Sequence, residues 1–507
     1  MSKILNYSSF DTIQDSVDHV RQIFFTGKSR EMWFRKMQLE RLYSLVKENE
    51  ERFYKALKQD LNKPRLEAFT GDIAPVLDEC LYFLENLDTL VKDKTMKPRS
   101  LINKSEKVIT RRDPLGVVLI IGCWNYPVQL SLVPLAGAIA AGNCVILKPS
   151  EVAPHTAALI TELFPKYLDS SCYRIVNGGV EESTELLKNP FNHIFYTGNS
   201  MVGKIVMEAA SKHLTPVTLE LGGKSPAIVL EDASIQLTAN RIAFGKFYNA
   251  GQICIGVDYV LIHKSRLNDF TEAFKKTVHE WYGPNPKESN NYARIVADRH
   301  VDRLQAILDN RKSGQIALGG QIDKKDRYVA PTLVTNVRFD DPSLMSEEIF
   351  GPILPVLTFN TLEEAIALVN RKDPPLALYV FTQKKKLAEQ VLRNTRSGGV
   401  CVNDCLVHQA EYSLPFGGVG TSGMGSYHGE KSFNTFTHER GMIIKKQNKE
   451  RTVSMRYPPY TDRKFKIISL VLVKHPWLVW LTAYRTPLKL ITFILVLLSV
   501  VAKMKRA

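Results

Sequence analysis

From Gly116 onward, short continuous apolar runs alternate with amphipathic stretches, and this alternation restricts the folds open to the chain more than any other feature. Gly116–Gly122 (GVVLIIG), Cys144–Lys148 (CVILK), Arg174–Val176 and His193–Thr197 (HIFYT) have the length of buried strands. Val128–Ala141, Pro154–Tyr167, Glu181–Lys188 and Met201–Lys212 carry the helical pattern between and after them. A strand that is apolar at every position has two faces to hide, so its sheet needs helices on both sides. The pattern restarts with Pro226–Leu230, Tyr259–His263, Leu354–Phe359, Ala377–Phe381 and Gly399–Asn403, with helical segments among them such as Ser265–Tyr282, Val301–Arg311, Leu362–Asn370 and Leu387–Thr395. The spacing predicts an α/β protein with two doubly wound parallel-sheet domains.

The first hundred residues instead read as helices, over Val17–Phe25, Met32–Asn49 and Glu51–Asp60. We place a first domain, with this helical region, at 1–213. A second domain follows at 214–405, then a return segment at 406–455 and a tail at 461–507. Lys107–Arg112 and Phe433–Ile444 are β-prone runs far apart in sequence. Paired, they would form a small extra sheet, with the segment 105–113 in it, of the kind that serves oligomerisation.

The net charge of +15 first suggests nucleic acid, but its position argues otherwise. From Arg440 onward there are fifteen Lys and Arg against two acids, a net of +13, so the preceding 439 residues carry only +2. A basic tail beside apolar runs suits anionic lipid better than DNA. Leu490–Ala502 (LITFILVLLSVVA) is thirteen residues without a charge. As a helix it would span about 20 Å, short of a hydrocarbon core of about 30 Å. A second apolar run, Ile467–Ala483, is broken at Lys474-His475-Pro476, and Trp477, Trp480 and Tyr484 suit a membrane interface. The expectation is a membrane tail that either spans the bilayer or dips into it as a hairpin near Arg485-Thr486-Pro487. The seven cysteines fit no zinc or disulfide spacing, and the N-terminus has no signal-peptide core, so reduced thiols facing the cytosol are expected.

Several positions invite chemistry. Cys254, in Gly251-Gln252-Ile253-Cys254, is a thiol among small residues at the edge of an element. Glu220, between leucines and followed by Gly222-Gly223-Lys224, would be partly desolvated and so raised toward the range of a general base. It could equally pair with Lys224. Asn125, in Cys123-Trp124-Asn125-Tyr126-Pro127, follows a strand, where an amide could donate to an oxyanion or simply shape a turn. Gly198, Asn199, Ser200, Met201, Val202 and Gly203 follow another strand and open a helix, a place for a pyrophosphate. Lys148 and Glu151 could hold ribose hydroxyls. Glu348 and Phe350, if extended, would project to one side.

Taken together, CWNYP, LKPSE, the Gly198–Gly203 segment, LELGGK, GQIC, EEIFGP and LPFGGVGTSGMGSYHG occur in the order that characterises the aldehyde dehydrogenase superfamily. The resemblance covers roughly residues 15–445 and looks most like the class 3, fatty aldehyde dehydrogenase branch. It implies Cys254 as nucleophile, Glu220 as general base and Asn125 as oxyanion donor. It also implies Lys148 and Glu151 on the adenosine ribose, the Gly198–Gly203 segment at the pyrophosphate, Glu348 on the nicotinamide ribose and Phe350 beside the nicotinamide. The resemblance further implies a cofactor domain, a catalytic domain, a β element for oligomerisation and a C-terminal membrane anchor. The activity so implied is oxidation of medium- and long-chain aliphatic aldehydes to acids with NAD, NADP being an alternative, by a homodimer that binds no metal and no nucleic acid. The enzyme would sit on the endoplasmic reticulum, mitochondrial outer membrane or lipid droplet with its catalytic part in the cytosol. A dehydrogenase of aromatic or small aldehydes, or a tail-anchored scaffold without catalysis, are the alternatives.

Overall fold

The computed structural model describes residues 4–473 and Leu495. The chain divides into two compact units. The larger takes residues up to Val91 together with Asp113–His438, and the smaller takes Lys92–Arg112 and residues from Glu439 onward.

The larger unit opens with helices Phe10–Thr26, Met32–Lys47, Glu50–Leu61 and Ala74–Leu90. The first shows why they form where they do. Ser9 caps it, its hydroxyl accepting from the Thr12 N–H at 3.2 Å, and Gly27 ends it in the left-handed region (φ 83°). Its apolar stripe, Ile13, Val17, Val20 and Phe24, is buried. A single π turn, Phe69–Ile73, precedes Ala74–Leu90.

Two sheets follow. The first has six strands in the order Gly423–Met424, Val217–Glu220, His193–Thr197, Val117–Ile121, Cys144–Lys148, Tyr173–Ile175, parallel except for the antiparallel edge Gly423–Met424. The chain works outward from Val117–Ile121 to Tyr173–Ile175, then returns to its other side through His193–Thr197. The switch point therefore lies between Val117–Ile121 and His193–Thr197, the place where doubly wound sheets bind ligands. Ile121 lies opposite both Lys148 and Tyr196, and Thr197 opposite Glu220. This register aligns the carboxyl ends of four strands, so Cys123–Asn125, Lys148, Gly198 and Glu220 line one edge. The second sheet has seven strands, ordered Gln315–Leu318, Thr332–Thr335, Ile353–Phe359, Tyr259–His263, Pro226–Val229, Ala377–Phe381, Gly399–Val402, with Gln315–Leu318 antiparallel at its edge. The strand Val217–Glu220 belongs to the first sheet, so the chain passes between sheets over 221–225.

The smaller unit holds a three-stranded sheet in the order Lys94–Thr95, Lys107–Pro114, Thr437–Ile444. Phe433 lies not in that strand but in the helix Glu430–Thr435 before it. A helix, Asp462–Leu472, is capped by the Thr461 hydroxyl, which accepts from the Lys464 N–H at 3.3 Å. Among the described residues, no helix is long and apolar enough to cross a membrane. Leu490–Ala502 as a run, and Trp477, Trp480 and Tyr484, lie outside the described residues.

Candidate active site

Cys254 follows a tight turn, Tyr248–Gly251, in which Asn249 and Ala250 both take left-handed φ values of 52° and 50°. Such a conformation persists only when its surroundings dictate it. Here the Asn249 side-chain amide donates to the backbone carbonyls of Asn125 (2.9 Å) and Gln252 (3.2 Å), and its own N–H donates to the Glu67 carboxylate at 2.9 Å. The Gln252 amide donates to the carbonyls of Asn249 and Arg294, each at 3.0 Å, and its Oε1 accepts from the Val296 N–H at 2.9 Å. The half-buried Cys254 thiol thus sits on a rigid loop. Burial, then the nearby Glu348 and Glu220 carboxylates, push its pKa upward, so a base must help it ionise.

Glu220, the last residue of its strand, is 2% exposed, and neither carboxylate oxygen has a protein hydrogen-bond partner. Burial holds its carboxyl well above the usual range. Thr197 Oγ1, across the strand pair, is likewise unpartnered. Glu220, Cys254 and Thr197 line one enclosed space of about 10 Å³ with Tyr126, Leu130 and Ile253, room for a single water. A second cavity of about 700 Å³ shares Tyr126, Ile253 and Gln409 with the first. Phe244, Tyr248, Trp281, Tyr282 and Leu406 are among its walls. Asn125 is buried as well, its Nδ2 donating to the Gln252 carbonyl at 3.0 Å.

The other predicted positions lie along the carboxyl edge of the first sheet and in the loop facing it. Lys148 Nζ donates to Glu151 at 2.6 Å. Gly198 and Asn199 alone form the loop after His193–Thr197. Ser200 to Gly203 are already the first turn of the helix Ser200–Ser211, capped by Asn199 Oδ1, which accepts from the Val202 N–H at 2.9 Å. Glu348 is pushed up to about 8 by burial and by Asp258, against the Gly223 N–H, Lys224 and Arg303. A Cβ on Gly222 would meet the Glu348 carboxylate, so a larger residue there would push that carboxylate aside. Phe350 has a left-handed φ of 47°, so the segment is not extended and the same-side argument for Glu348 and Phe350 fails. The Phe350 ring instead packs edge-on against Trp124 at 5.3 Å. Lys224 does not pair with Glu220. It pairs with Asp258 and donates to the carbonyls of Leu344 (3.0 Å) and Glu347 (2.8 Å), while Asp258 Oδ1 accepts the Ile349 N–H at 2.9 Å. That ion pair ties down the loop that presents Glu348 and Phe350.

Lys63, Asp72, Asn249 and Asp258 were not singled out by the sequence reading. Each stands alone in an unremarkable stretch, and only the fold shows what it touches. The residues suit a dinucleotide. A cation–carboxylate pair and a glycine-opened helix start share the edge of a parallel sheet at its switch point, and a glycine-opened gap holds a second carboxylate nearby.

Fold and site together define a nucleotide-dependent oxidoreductase. Residues 7–441 match the pattern of the aldehyde dehydrogenase family, and the chain belongs to that family. It is 47% identical over 464 residues to aldehyde dehydrogenase family 3 member A2 of Mus musculus, covering 91% of this chain and 94% of that one. It is 46% identical over 448 residues to the dimeric NADP-preferring aldehyde dehydrogenase of Rattus norvegicus, covering 88% and 98%. Its fold is similar to the substrate-bound state of Staphylococcus aureus AldH, with a TM-score of 0.87 at 42% identity over 90% of this chain and 99% of that one. The chain is an NAD(P)-dependent aldehyde dehydrogenase of the class 3 kind.

Proposed function

We propose that the enzyme oxidises medium- and long-chain unbranched aliphatic aldehydes to carboxylic acids. The observation that carries this reading is the apolar cavity of about 700 Å³ that meets the Cys254–Glu220 space through shared walls. A cavity of this size and lining suits a long apolar ligand.

In this reading the Cys254 thiol passes its proton to solvent by way of Glu220, and the thiolate attacks the carbonyl carbon to form a thiohemiacetal. The Asn125 amide and the Cys254 N–H stabilise its oxyanion without adding a positive charge that would quench the thiolate. A dinucleotide, when bound, would supply the hydride acceptor needed to take the thiohemiacetal to a thioester on Cys254. Lys148 and Glu151, the Gly198–Gly203 segment, Glu348 and Phe350 are the residues that would hold it. Glu220 then takes a proton from a water in the small space, and the resulting hydroxide hydrolyses the thioester. Its unpartnered carboxylate is free to accept that proton. The convergence of Cys254 and Glu220 on one space argues against a scaffold without catalysis. We further propose a homodimer joined through the small sheet, and a lipid membrane held by the basic, apolar tail with the catalytic part facing the cytosol.

The test is kcat/KM across hexanal, dodecanal, hexadecanal and benzaldehyde with each cofactor. A rise with chain length and a low value for benzaldehyde are expected. A preference for benzaldehyde over dodecanal would replace this reading with an aromatic-aldehyde one.

A further inference from the structure

The larger unit buries one ion pair that the proposed chemistry does not use. Lys63 and Asp72 meet at 2.7 Å with both side chains fully buried. Such a pair contributes little net stability, since desolvation offsets most of the attraction, so its other contacts are informative. Lys63 Nζ donates to the Asn125 backbone carbonyl at 3.0 Å and lies 4.1 Å from the centroid of the Tyr126 ring. Asp72 Oδ1 accepts the Val128 N–H at 3.1 Å. One ion pair therefore grips residues 125, 126 and 128 together. The Asn125 carbonyl also accepts the Asn249 amide, whose loop carries Cys254. We propose that Lys63 and Asp72 are positioning residues, holding the Asn125 amide in register with Cys254 through the Asn125 backbone.

The inference rests on Asn125 being the oxyanion donor. A donor must be placed where the charge develops, and a 1 Å error costs about a hundredfold in rate. Lys63 comes from the turn after helix Glu50–Leu61, and Asp72 from the π turn Phe69–Ile73, a type of irregularity that recurs at functional sites.

The test uses the full-length enzyme and Lys63→Met/Asp72→Asn, which removes both charges so that neither is left buried alone. Two reactions of Cys254 are compared without cofactor. With p-nitrophenyl butyrate the sulfur–acyl bond forms, the ester C–O bond breaks, the thiol proton goes to solvent, and an oxyanion develops on the way. With iodoacetamide a sulfur–carbon bond forms and iodide leaves, with no oxyanion at all. Acylation should slow by about a hundredfold, while alkylation and the NAD dissociation constant, read by fluorescence, stay unchanged. In an Asn125→Ala background the double substitution should cost nothing further. Unchanged acylation, or equal slowing of both reactions, would overturn the proposal. If Asn125→Ala itself left acylation intact, the oxyanion assignment and this inference would fall together, a result distinct from failure of the ion pair alone. Should the double variant not fold, Lys63→Arg keeps a positive charge beside Asp72 but replaces the compact ammonium donor on the Asn125 carbonyl by a planar fork. It should slow acylation and spare alkylation, and unchanged acylation or equal slowing of both reactions would overturn the proposal.

Discussion

Burying a carboxylate without a hydrogen-bond partner is costly, and Glu220 is such a group. Its pKa is raised by burial alone, which makes the carboxylate a stronger proton acceptor than an ordinary one. Two consequences of opposite sign follow. A general base of this kind contributes about 10²–10⁴-fold to the step it assists. Glu220→Gln should therefore release a burst of reduced cofactor and then turn over at least about a hundredfold more slowly, measured by stopped-flow. In stability the same residue is a burden. A folded-state pKa above the unfolded one gives a contribution that is complete below the ordinary carboxyl pKa and lost as pH rises through the folded value. Wild-type melting temperature should thus fall more steeply from pH 5 to pH 9 than that of Glu220→Gln. Parallel melting curves would show that Glu220 is already ionised at low pH, and a variant with no burst and no slow phase would mean another group activates the water.

At the scale of elements, the walls of the large cavity depend on one irregular turn. Gly71, in the π turn Phe69–Ile73, lies so close to Tyr126 that a Cβ would sit 2.7 Å from Tyr126 Cε1 and 3.0 Å from the Tyr248 hydroxyl. Tyr126 cannot easily yield, because Lys63 lies on its ring. Gly71→Ala should cost about 1–3 kcal/mol in strain. It should lower kcat/KM for hexadecanal by about tenfold or more, with the dissociation constant for NAD unchanged by fluorescence titration. Full activity would mean that both rings move freely. This dependence also marks where the sequence was readable and where it was not. The strands Val117–Ile121, Cys144–Lys148 and His193–Thr197 stand out because each is apolar at every position, and burial on both faces demands that. Val217–Glu220 does not, being four residues that run into Gly222-Gly223, and Gly423–Met424 has no pattern at all. Cys254, Glu220 and Asn125 could be singled out as candidates because their neighbours form dense local motifs. Lys63, Asp72 and Asp258 act through backbone groups remote in sequence, which no local pattern encodes.

At the scale of the whole molecule, charge and apolarity are unevenly divided. The first 439 residues carry a net +2, and the remainder carries +13 together with both long apolar runs. The proposed chemistry lies wholly before residue 430, so the proposed membrane attachment should be separable from it by truncation. Deleting 461–507 should move the enzyme from the membrane pellet to the supernatant. Thirteen uncharged residues, at about 0.8 kcal/mol per buried CH₂, give ample free energy for attachment, and the nearly neutral body has little electrostatic pull of its own. Activity on hexanal in solution should survive, because every described residue lining the Cys254 space and the cavity beside it lies before the deleted segment. Activity on hexadecanal presented in vesicles should fall further, because the substrate must then cross water to reach the cavity. The measurement is kcat/KM for both aldehydes with and without the tail. Equal losses would mean that the tail supports the fold rather than substrate capture. A truncated protein still found in the pellet would show that the membrane is held by some other part of the chain.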